Sequence, residues 1–444
     1  MLTQLHFSPG LLACVGAMLA LFVILLLAGK VPLSYNLRNL AIRWRATLLT
    51  ALAFTLVVGL LTVMLAFVNG MTRLTEASGQ PGNIIILSEG STDEQFSNLA
   101  YGDVTNVDRW PGIVADDQGR PLCSKEVYIV VTQPIVTDEG TTDRRRFVQV
   151  RGIDDALISS GVHNVELLPG GRWFSEAGVQ DLPGSGEKDA GRQAIQVVLG
   201  EGAARVLGTD QHKPRLEIGD SFDLGPRRWI VTGIMKSAGS TFGSEIWAKR
   251  SIVGPMFGKD QFTALVARTK DAKAASAVAK DLRENFKPAL RAEPESEYYE
   301  KLSDTNKQFS FAIYFVTIVM AIGGVFGVMN TMFAAISQRT KDIGMLRILG
   351  FARWQILVSF FLETLVIALA GGLLGCALGL LTDGWTATSV VSGGQGGGKT
   401  VVLKLAVDAN TLAIGLLFTL IMGALGGLIP SLSAMRLRPL ESLR

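Results

Sequence analysis

Five long apolar runs organise the chain: Leu11–Gly29, Leu48–Val68, Phe309–Ile336, Ile356–Leu381 and Thr411–Leu432. A bilayer core of about 30 Å needs roughly 20 apolar residues in helical form, so each run predicts a membrane-spanning helix. Between the second and third runs the pattern changes. NIIILSE, EVYIVVT, RRRFVQVRGI, AIQVVLG, RRWIVTGIM and TALVARTK are short Val- and Ile-rich segments separated by Gly, Pro, Asp and Ser, which predicts strands and turns. EGAARVLG, KDAKAASAVAKDLRENF and ESEYYEKLSDTNKQ predict helices among them. The last of these runs into the third span without Pro or Gly, and one helix from Tyr298 to Ile336 would reach about 60 Å at 1.5 Å per residue.

The expected fold is a membrane α-helical protein of five spans carrying a mixed α+β extracytoplasmic domain. Its parts are an N-terminal span (1–29), an interfacial helix with the second span (30–69), the α+β domain (70–308), the third and fourth spans (309–381) joined by a polar stretch at 337–355, a Gly-rich loop (382–410), and the fifth span with a basic tail (411–444).

Basic residues fix the orientation. Lys30, Arg38, Arg43 and Arg45 follow the first run; Arg339, Lys341, Arg347 and Arg353 follow the third; Arg436, Arg438 and Arg444 follow the fifth. Short Lys/Arg-rich loops stay cytoplasmic, and five alternating spans put all three clusters on that side. The α+β domain and the 382–410 loop then lie outside, which predicts a multi-pass protein of the bacterial inner membrane. The first run also invites reading as a signal peptide, but no Lys or Arg precedes it. Leu11-Leu12-Ala13-Cys14 has the letters of a lipoprotein cleavage box, yet its apolar stretch follows the cysteine instead of preceding it. A retained span is expected. After it, Leu33, Leu37, Leu40 and Trp44 recur at helical spacing with arginines on other faces, predicting a helix on the inner membrane surface in preference to a plain basic linker.

Composition agrees. The apolar fraction is 48% and the mean hydropathy +0.33. A net charge of +3 over 444 residues gives no reason to expect nucleic acid as a partner. The charge is uneven: residues 70–308 hold 29 Lys/Arg against 34 Asp/Glu, and the remainder 13 against five. Three cysteines, two of them in apolar runs, form no disulfide framework.

No catalytic constellation, metal set or cofactor site is expected. His6, His163 and His212 have no ligand spacing to one another or to Cys or Asp, and a lone loop histidine is expected at the surface. The scattered carboxylates suggest no pairing, and Arg144-Arg145-Arg146, which would suit an acidic partner or a lipid head group, is expected to be a solvated strand edge. Gly393 to Thr400 spells GGQGGGKT and fits a phosphate-binding loop by letters alone. That mechanism needs a strand leading in and a helix starting at the Lys-Thr. Here VVLKLAVD follows, a strand pattern on the side away from ATP, so a flexible linker is expected and no ATPase of the chain's own.

SQRTKDIGMLRILGFARWQ, Ser337 to Gln355, lies on the ATP side. Topology explains its arginines. It does not explain Ile343, Met345, Leu346 and Leu349, an apolar ridge with a glycine stop at Gly350, which suits insertion into a groove on a partner. The segment Gln338-Arg339-Thr340-Lys341-Asp342-Ile343-Gly344-Met345-Leu346-Arg347-Ile348-Leu349-Gly350-Phe351 resembles the ERTREIGILRALGA stretch of the MacB, LolC/LolE and FtsX group of mechanotransmission ABC permeases, and Glu363 in FLETL matches their following glutamate. The tail RLRPLESLR is similar to that family's ending; Gly171-Arg172-Trp173-Phe174 and VVLGEGAARVLG look like its outside domain. The resemblance covers about residues 33–444. Gln338 and Asp342 stand where the family usually has glutamate, and the span at Leu11–Gly29 is additional to its four-span plan.

The resemblance implies that Arg339, Thr340, Lys341, Asp342, Ile343, Gly344, Met345, Leu346, Arg347 and Gly350 dock on a separate ABC ATPase subunit. It also implies a dimer with a second copy or a related permease, with a periplasmic adaptor or lipoprotein as a further partner. The implied work is export or extraction of a lipoprotein, lipid, peptide or hydrophobic compound. The alternative is an FtsX-like regulator of a cell-wall hydrolase, which usually carries a smaller outside domain. A stand-alone secondary transporter would show several intramembrane charges. Glu363 is the one ionisable residue well inside a span, either functional or capping a packing contact near the head groups. Gly371, Gly375 and Gly379 recur every four residues, as do Gly323 with Gly327 and Gly423 with Gly427. Such spacing lets helices approach closely, within one subunit or between two.

Overall fold

The computed structural model describes residues 40–137, 140–181, 193–236, 239–302, 304–392 and 398–436, together with Cys14, Gly16, Ala17, Ala20, Val23 and Arg38. In chain order the elements are α1 (Trp44–Glu76), β1 (Asn83–Ser88), α2 (Tyr101–Val107), β2 (Cys123–Thr137), β3 (Gly140–Ile153), α3 (Ala156–His163), β4 (Val179–Asp181), β5 (Gln193–Gly200), α4 (Glu201–Thr209), β6 (Ser221–Leu224), β7 (Arg227–Met235), β8 (Glu245–Lys249), α5 (Arg250–Met256), β9 (Ala264–Arg268), α6 (Ala272–Asn285), β10 (Leu290–Pro294), α7 (Glu295–Leu302), α8 (Asp304–Ser337), α9 (Thr340–Ile348), α10 (Arg353–Leu380), β11 (Thr386–Ser392), β12 (Gly398–Lys404) and α11 (Ala409–Arg436). They form two compact units, one of residues 1–69, 308–385 and 404–444, the other of 70–307 and 386–403.

The first unit is helical. Four helices are long and apolar enough to cross a membrane: Trp44–Leu74, Ser310–Ser337, Arg353–Leu380 and Ala409–Arg436. They correspond to the second to fifth apolar runs. The first run lies outside the described residues except at Cys14, Gly16, Ala17, Ala20 and Val23, all helical. Most of the expected surface helix at 33–44 is likewise undescribed, with Arg38 and residues 40–42 helical. α10 is central: 67% of its apolar window is buried, against 17% for α8, whose Phe311, Phe315, Ile318, Ile322 and Phe326 are exposed. Phe54, Val328, Met332, Ile336, Ile356, Phe360, Ala368 and Met422 pack together as the core of this unit.

The second unit is built on one mixed sheet of ten strands, ordered β10-β1-β9-β2-β3-β8-β5-β7-β6, with β4 beside β5. Pairs β3–β8 and β5–β7 are parallel; the other named pairs are antiparallel. Every segment read as a strand is one. β2 is the long strand that joins two cores. Ile84, Leu265, Ala279 and Leu282 form one under amphipathic α6, while Val150, Val197, Leu207, Trp229 and Ile246 form the other. Asp271 caps α6 by accepting from Ala274 N at 2.8 Å, as expected of Asp at an N-cap.

One expectation lies partly outside the described residues and another changes. ESEYYEKL is α7 and the third span is α8; Ser303, which would join them into one rod, lies outside the described residues. The 382–410 segment is no plain linker: β11 and β12 pair, Val401 and Leu403 are fully buried, and Val402 N donates to Ser244 Oγ at 2.7 Å. Val–Val–Leu spaced by Lys is a strand pattern, and Gly202 leaves room for it, since a Cβ there would sit 2.9 Å from that of Val402. The glycine tip at 393–397 lies outside the described residues.

Candidate functional site

The stretch at 337–355 forms a tight helical corner. α8 ends at Ser337, α9 runs for nine residues, and Gly350 ends it with φ +92°. That left-handed conformation suits glycine. Phe351 N donates to Leu346 O at 3.1 Å and Gly350 N to Arg347 O at 3.2 Å, the paired closure of a Schellman motif. α10 then starts after Ala352, whose N–H donates to Gln355 Oε1 at 2.9 Å.

The corner has two faces. Inward, Ile343 is 1% exposed and Gly344 is buried; Ile343 joins Ile336, Ile356 and Phe360 in the core. Outward, Met345, Ile348, Leu349 and Trp354 are 58%, 60%, 70% and 47% exposed, beside Lys341, Asp342 and Arg353. The ridge is therefore Met345–Ile348–Leu349. Ile343 points the other way, and Leu346 and Arg347 are intermediate. Helical geometry explains the shift, because six residues at 3.6 per turn put 343 and 349 on different faces, about 120° apart.

Arg339 is buried too. It sits between α8 and α9, 6% exposed, and donates from Nη1 to Glu363 Oε2 at 2.8 Å and from Nη2 to Glu363 Oε1 at 3.0 Å. Its guanidinium also lies 5.8 Å from the Phe360 ring centroid. Glu363 projects from α10 and is 3% exposed. Topology alone accounts for an arginine at 339, and Glu363 stands in the sequence as an isolated intramembrane group; the structure makes them one bidentate pair, the strongest geometry such groups have. Pairs of residues 24 apart carry no spacing signal, so only the fold brings them together. Thr340 lies beside them, partly buried.

The glycine stripe of α10 faces α1 within the same chain. A Cβ at Gly371 would lie 2.6 Å from Ala51 O, one at Gly375 2.8 Å from Thr55 O, and one at Gly379 would overlap the Thr62 methyl group. Thr55 Oγ1 uses the close approach to donate to Gly371 O at 3.1 Å. On the α11 side, Gly423 meets Ala368 and Gly427 meets Thr364. Gly323 and Gly327 have nothing within 4 Å.

These features were compared with known proteins. The model of the MacB-like periplasmic core domain matches residues 47–285, more than half of the chain, and that of the FtsX-like permease C-terminal matches 314–439. The chain belongs to the MacB/FtsX-like family of ABC transporter permeases. Among curated relatives, "Macrolide export ATP-binding/permease protein MacB" of Burkholderia lata is 23% identical over 86% of this chain and 54% of its own length. The protein of that name in Bdellovibrio bacteriovorus is 25% identical over 62% of this chain and 41% of its own. The chain thus spans about half the length of the curated relatives it matches. A solved extracellular domain, from the noncanonic ABC-type transporter YknZ of Gram-positive bacteria, aligns over 47% of this chain and 98% of its own at 14% identity, with a TM-score of 0.31. As members of this family are, the protein is a multi-pass permease of the inner membrane with a large periplasmic domain.

The MacB-like periplasmic domain holds a buried ionic cluster that the sequence did not disclose. Arg151 on β3 is fully buried and donates to both oxygens of Glu245 on β8, at 2.7 and 2.8 Å, to Glu94 at 3.1 Å, and to Glu126 on β2. His163, expected at the surface, ends α3 at 2% exposure; its Nε2 is 2.5 Å from Glu126 Oε1 and its Nδ1 3.3 Å from Glu295 Oε1 on α7. Burial lowers its proton affinity, but the two carboxylates outweigh that and raise its pKa to about 10. Burial likewise pushes the Glu126 carboxyl up, while Arg151 and His163 bring it down to about 2. Among the three arginines at 144–146, Arg146 is no solvated edge. Its Nη1 donates to Asp210 Oδ1 at 3.0 Å.

Proposed function

We propose that this permease couples ATP hydrolysis, carried out by a separate ABC ATPase chain, to movement of its periplasmic domain. The protein works as a dimer, with itself or a related permease, in the export or extraction of a hydrophobic compound, lipid, lipoprotein or peptide. The observation that carries this reading is the corner at 337–355. It offers Met345, Ile348 and Leu349 outward as an apolar knob rimmed by Lys341 and Arg353, while Arg339 and Ile343 fasten its other side into the helical core. An exposed apolar patch with a charged rim suits docking into a groove, and one fastened from behind transmits a push instead of yielding to it. The docking residues are therefore Met345, Ile348 and Leu349 with Lys341 and Asp342; Arg339, Ile343 and Gly344 hold the corner. The macrolide export named for the relatives fits a hydrophobic cargo. This reading assigns ATP hydrolysis to the partner, and the placement of Lys399 and Thr400 in strand β12, where a phosphate loop requires the start of a helix, supports it.

The test is purification of the tagged protein from native membranes in mild detergent, wild type beside a Met345→Glu, Leu349→Glu variant. The reading predicts an ATP-hydrolysing subunit that co-purifies with wild type and is lost with the variant while the permease itself stays folded. Equal recovery of that subunit with both proteins would overturn it.

A further inference from the structure

The Arg339–Glu363 pair borders a small cavity with a second arginine on its wall. Arg43, just before α1, lines the same small cavity as Arg339 and Glu363, together with the hydroxyl-bearing Thr47, Thr50 and Thr331. Burial and then the Arg339 charge lower the proton affinity of Arg43, and Glu363 offsets only part of that, so Arg43 feels the charge of both. Among the described residues no carboxylate lies within ion-pair distance of it, the first ion pair along the chain being at Arg120. Arg43, Arg339 and Glu363 thus line one cavity from three parts of the fold: the residue before α1, the α8–α9 corner and α10. The cavity offers about 20 Å³ of open space, which is room for about one water and for a carboxylate to swing, but not for a lipid head group.

We propose that Glu363 is shared between Arg339 and Arg43, and that displacement of α9 passes the carboxylate from the first arginine to the second. An unpaired buried charge is costly, so arrangements that leave Glu363 without either partner are disfavoured and the site has two stable states. In the state seen here α10 is tied to the corner. In the other it is tied to the base of α1, the helix that leads into the periplasmic domain. Arg43 is then a positioning residue, and the exchange is a discrete switch between packed arrangements of the kind that amplifies small movements. The exchange rests on the coupling reading for its purpose, but the pairing is testable without any ATPase.

The first experiment is a double-mutant cycle on the melting temperature of the full chain in nanodiscs, with Arg43→Gln, Arg339→Gln and both together. The exchange predicts that Arg43→Gln lowers the melting temperature more in the Arg339→Gln background than in wild type, because Glu363 has then lost both partners; Arg43→Lys, which keeps the charge, should show no such extra loss. Equal losses in the two backgrounds overturn it. A second measurement avoids destabilised variants. Spin labels at Gln338 and Arg45, both exposed, report the distance from the α8–α9 corner to the base of α1 in the ATPase complex, with and without ATP and vanadate. A distance change in wild type and Arg43→Lys that is lost in Arg43→Gln supports the exchange. The same change in all three overturns the exchange and leaves ATPase coupling standing; no change in wild type overturns both.

Discussion

Arg339 holds both carboxylate oxygens of Glu363 at 2.8 and 3.0 Å across a helical corner, and both side chains are more than 90% buried. Ten residues separate Glu363 from the start of α10, about 15 Å along the helix at 1.5 Å per residue. The pair therefore reaches from the corner well into the helical core and fixes so short a helix as α9 against it.

Glu363→Gln leaves the buried Arg339 guanidinium uncompensated, at a cost of about 3–5 kcal/mol, whereas Arg339→Gln leaves Glu363 beside Arg43 and costs less. Arg339→Gln and Glu363→Gln should each lower the melting temperature of the reconstituted protein, and the double variant should cost less than the sum of the two. Strict additivity in that cycle would show that the two groups do not depend on each other.

The close approach of α10 to α1 gives a contrast within one class of residue. Gly375→Val should destabilise by about 1–3 kcal/mol through overpacking, because its first added carbon already lies 2.8 Å from Thr55 O and Val58 Cβ. Gly327→Val, with nothing within 4 Å, should stay within about 0.5 kcal/mol of wild type. Thermal melts of the two variants side by side check this, and similar losses would contradict the packing described.

The periplasmic ionic cluster predicts a dependence on pH. His163 has its folded pKa raised from 6.5 to about 10, so its contribution is complete below about 6.5 and is lost as pH rises through 10, at a slope of about 1.4 kcal/mol per pH unit within that window. Glu126, depressed from 4.5 to about 2, acts in the opposite direction: its contribution is present above about 4.5 and disappears as pH falls through 2. Melting followed by tryptophan fluorescence suits the measurement, since Trp247 lies 5.6 Å from the His163 ring. His163→Gln should flatten the alkaline decline. An unchanged slope would mean that His163 carries no proton in the folded state.

Periodic patterns were legible in the sequence and convergent ones were not. Four of the apolar runs became spans, and β1, β2, β3, β5, β7 and β9 formed where Val and Ile alternate or cluster, because burial of one face or both is written locally. α2, α3 and α5, of seven or eight residues each, were missed: two turns carry too few positions to show a period. His163, Arg151 and Glu126 gave no signal, because β2, β3, β8, α3 and α7 bring them together from across the domain. At the corner the sequence disclosed an apolar ridge but misassigned its faces. Ile343 and Leu349 both look like anchors in the string, and only packing against Phe360 and Ile336 decides which is inside. The GGQGGGKT letters spell a phosphate loop that the strand pattern after them argues against, and Lys399 and Thr400 lie in a strand of a hairpin whose Val402 N–H donates to Ser244 Oγ. Lys399→Ala should accordingly leave ATP hydrolysis by the purified complex unchanged, and a loss on the order of tenfold or more, as expected when transition-state charge stabilisation is removed, would contradict the hairpin reading.

The central claim is that the outward face of α9 meets an ATPase, and photo-crosslinking in intact membranes tests it most directly. A photoreactive amino acid placed at Leu349, 70% exposed on the corner, is compared with one at Phe96, 53% exposed in the periplasmic domain. The account predicts an adduct with an ATP-binding subunit from position 349 and none from position 96. No such adduct from 349, with the permease correctly inserted, would contradict it and leave the corner as a basic loop that only orients the protein.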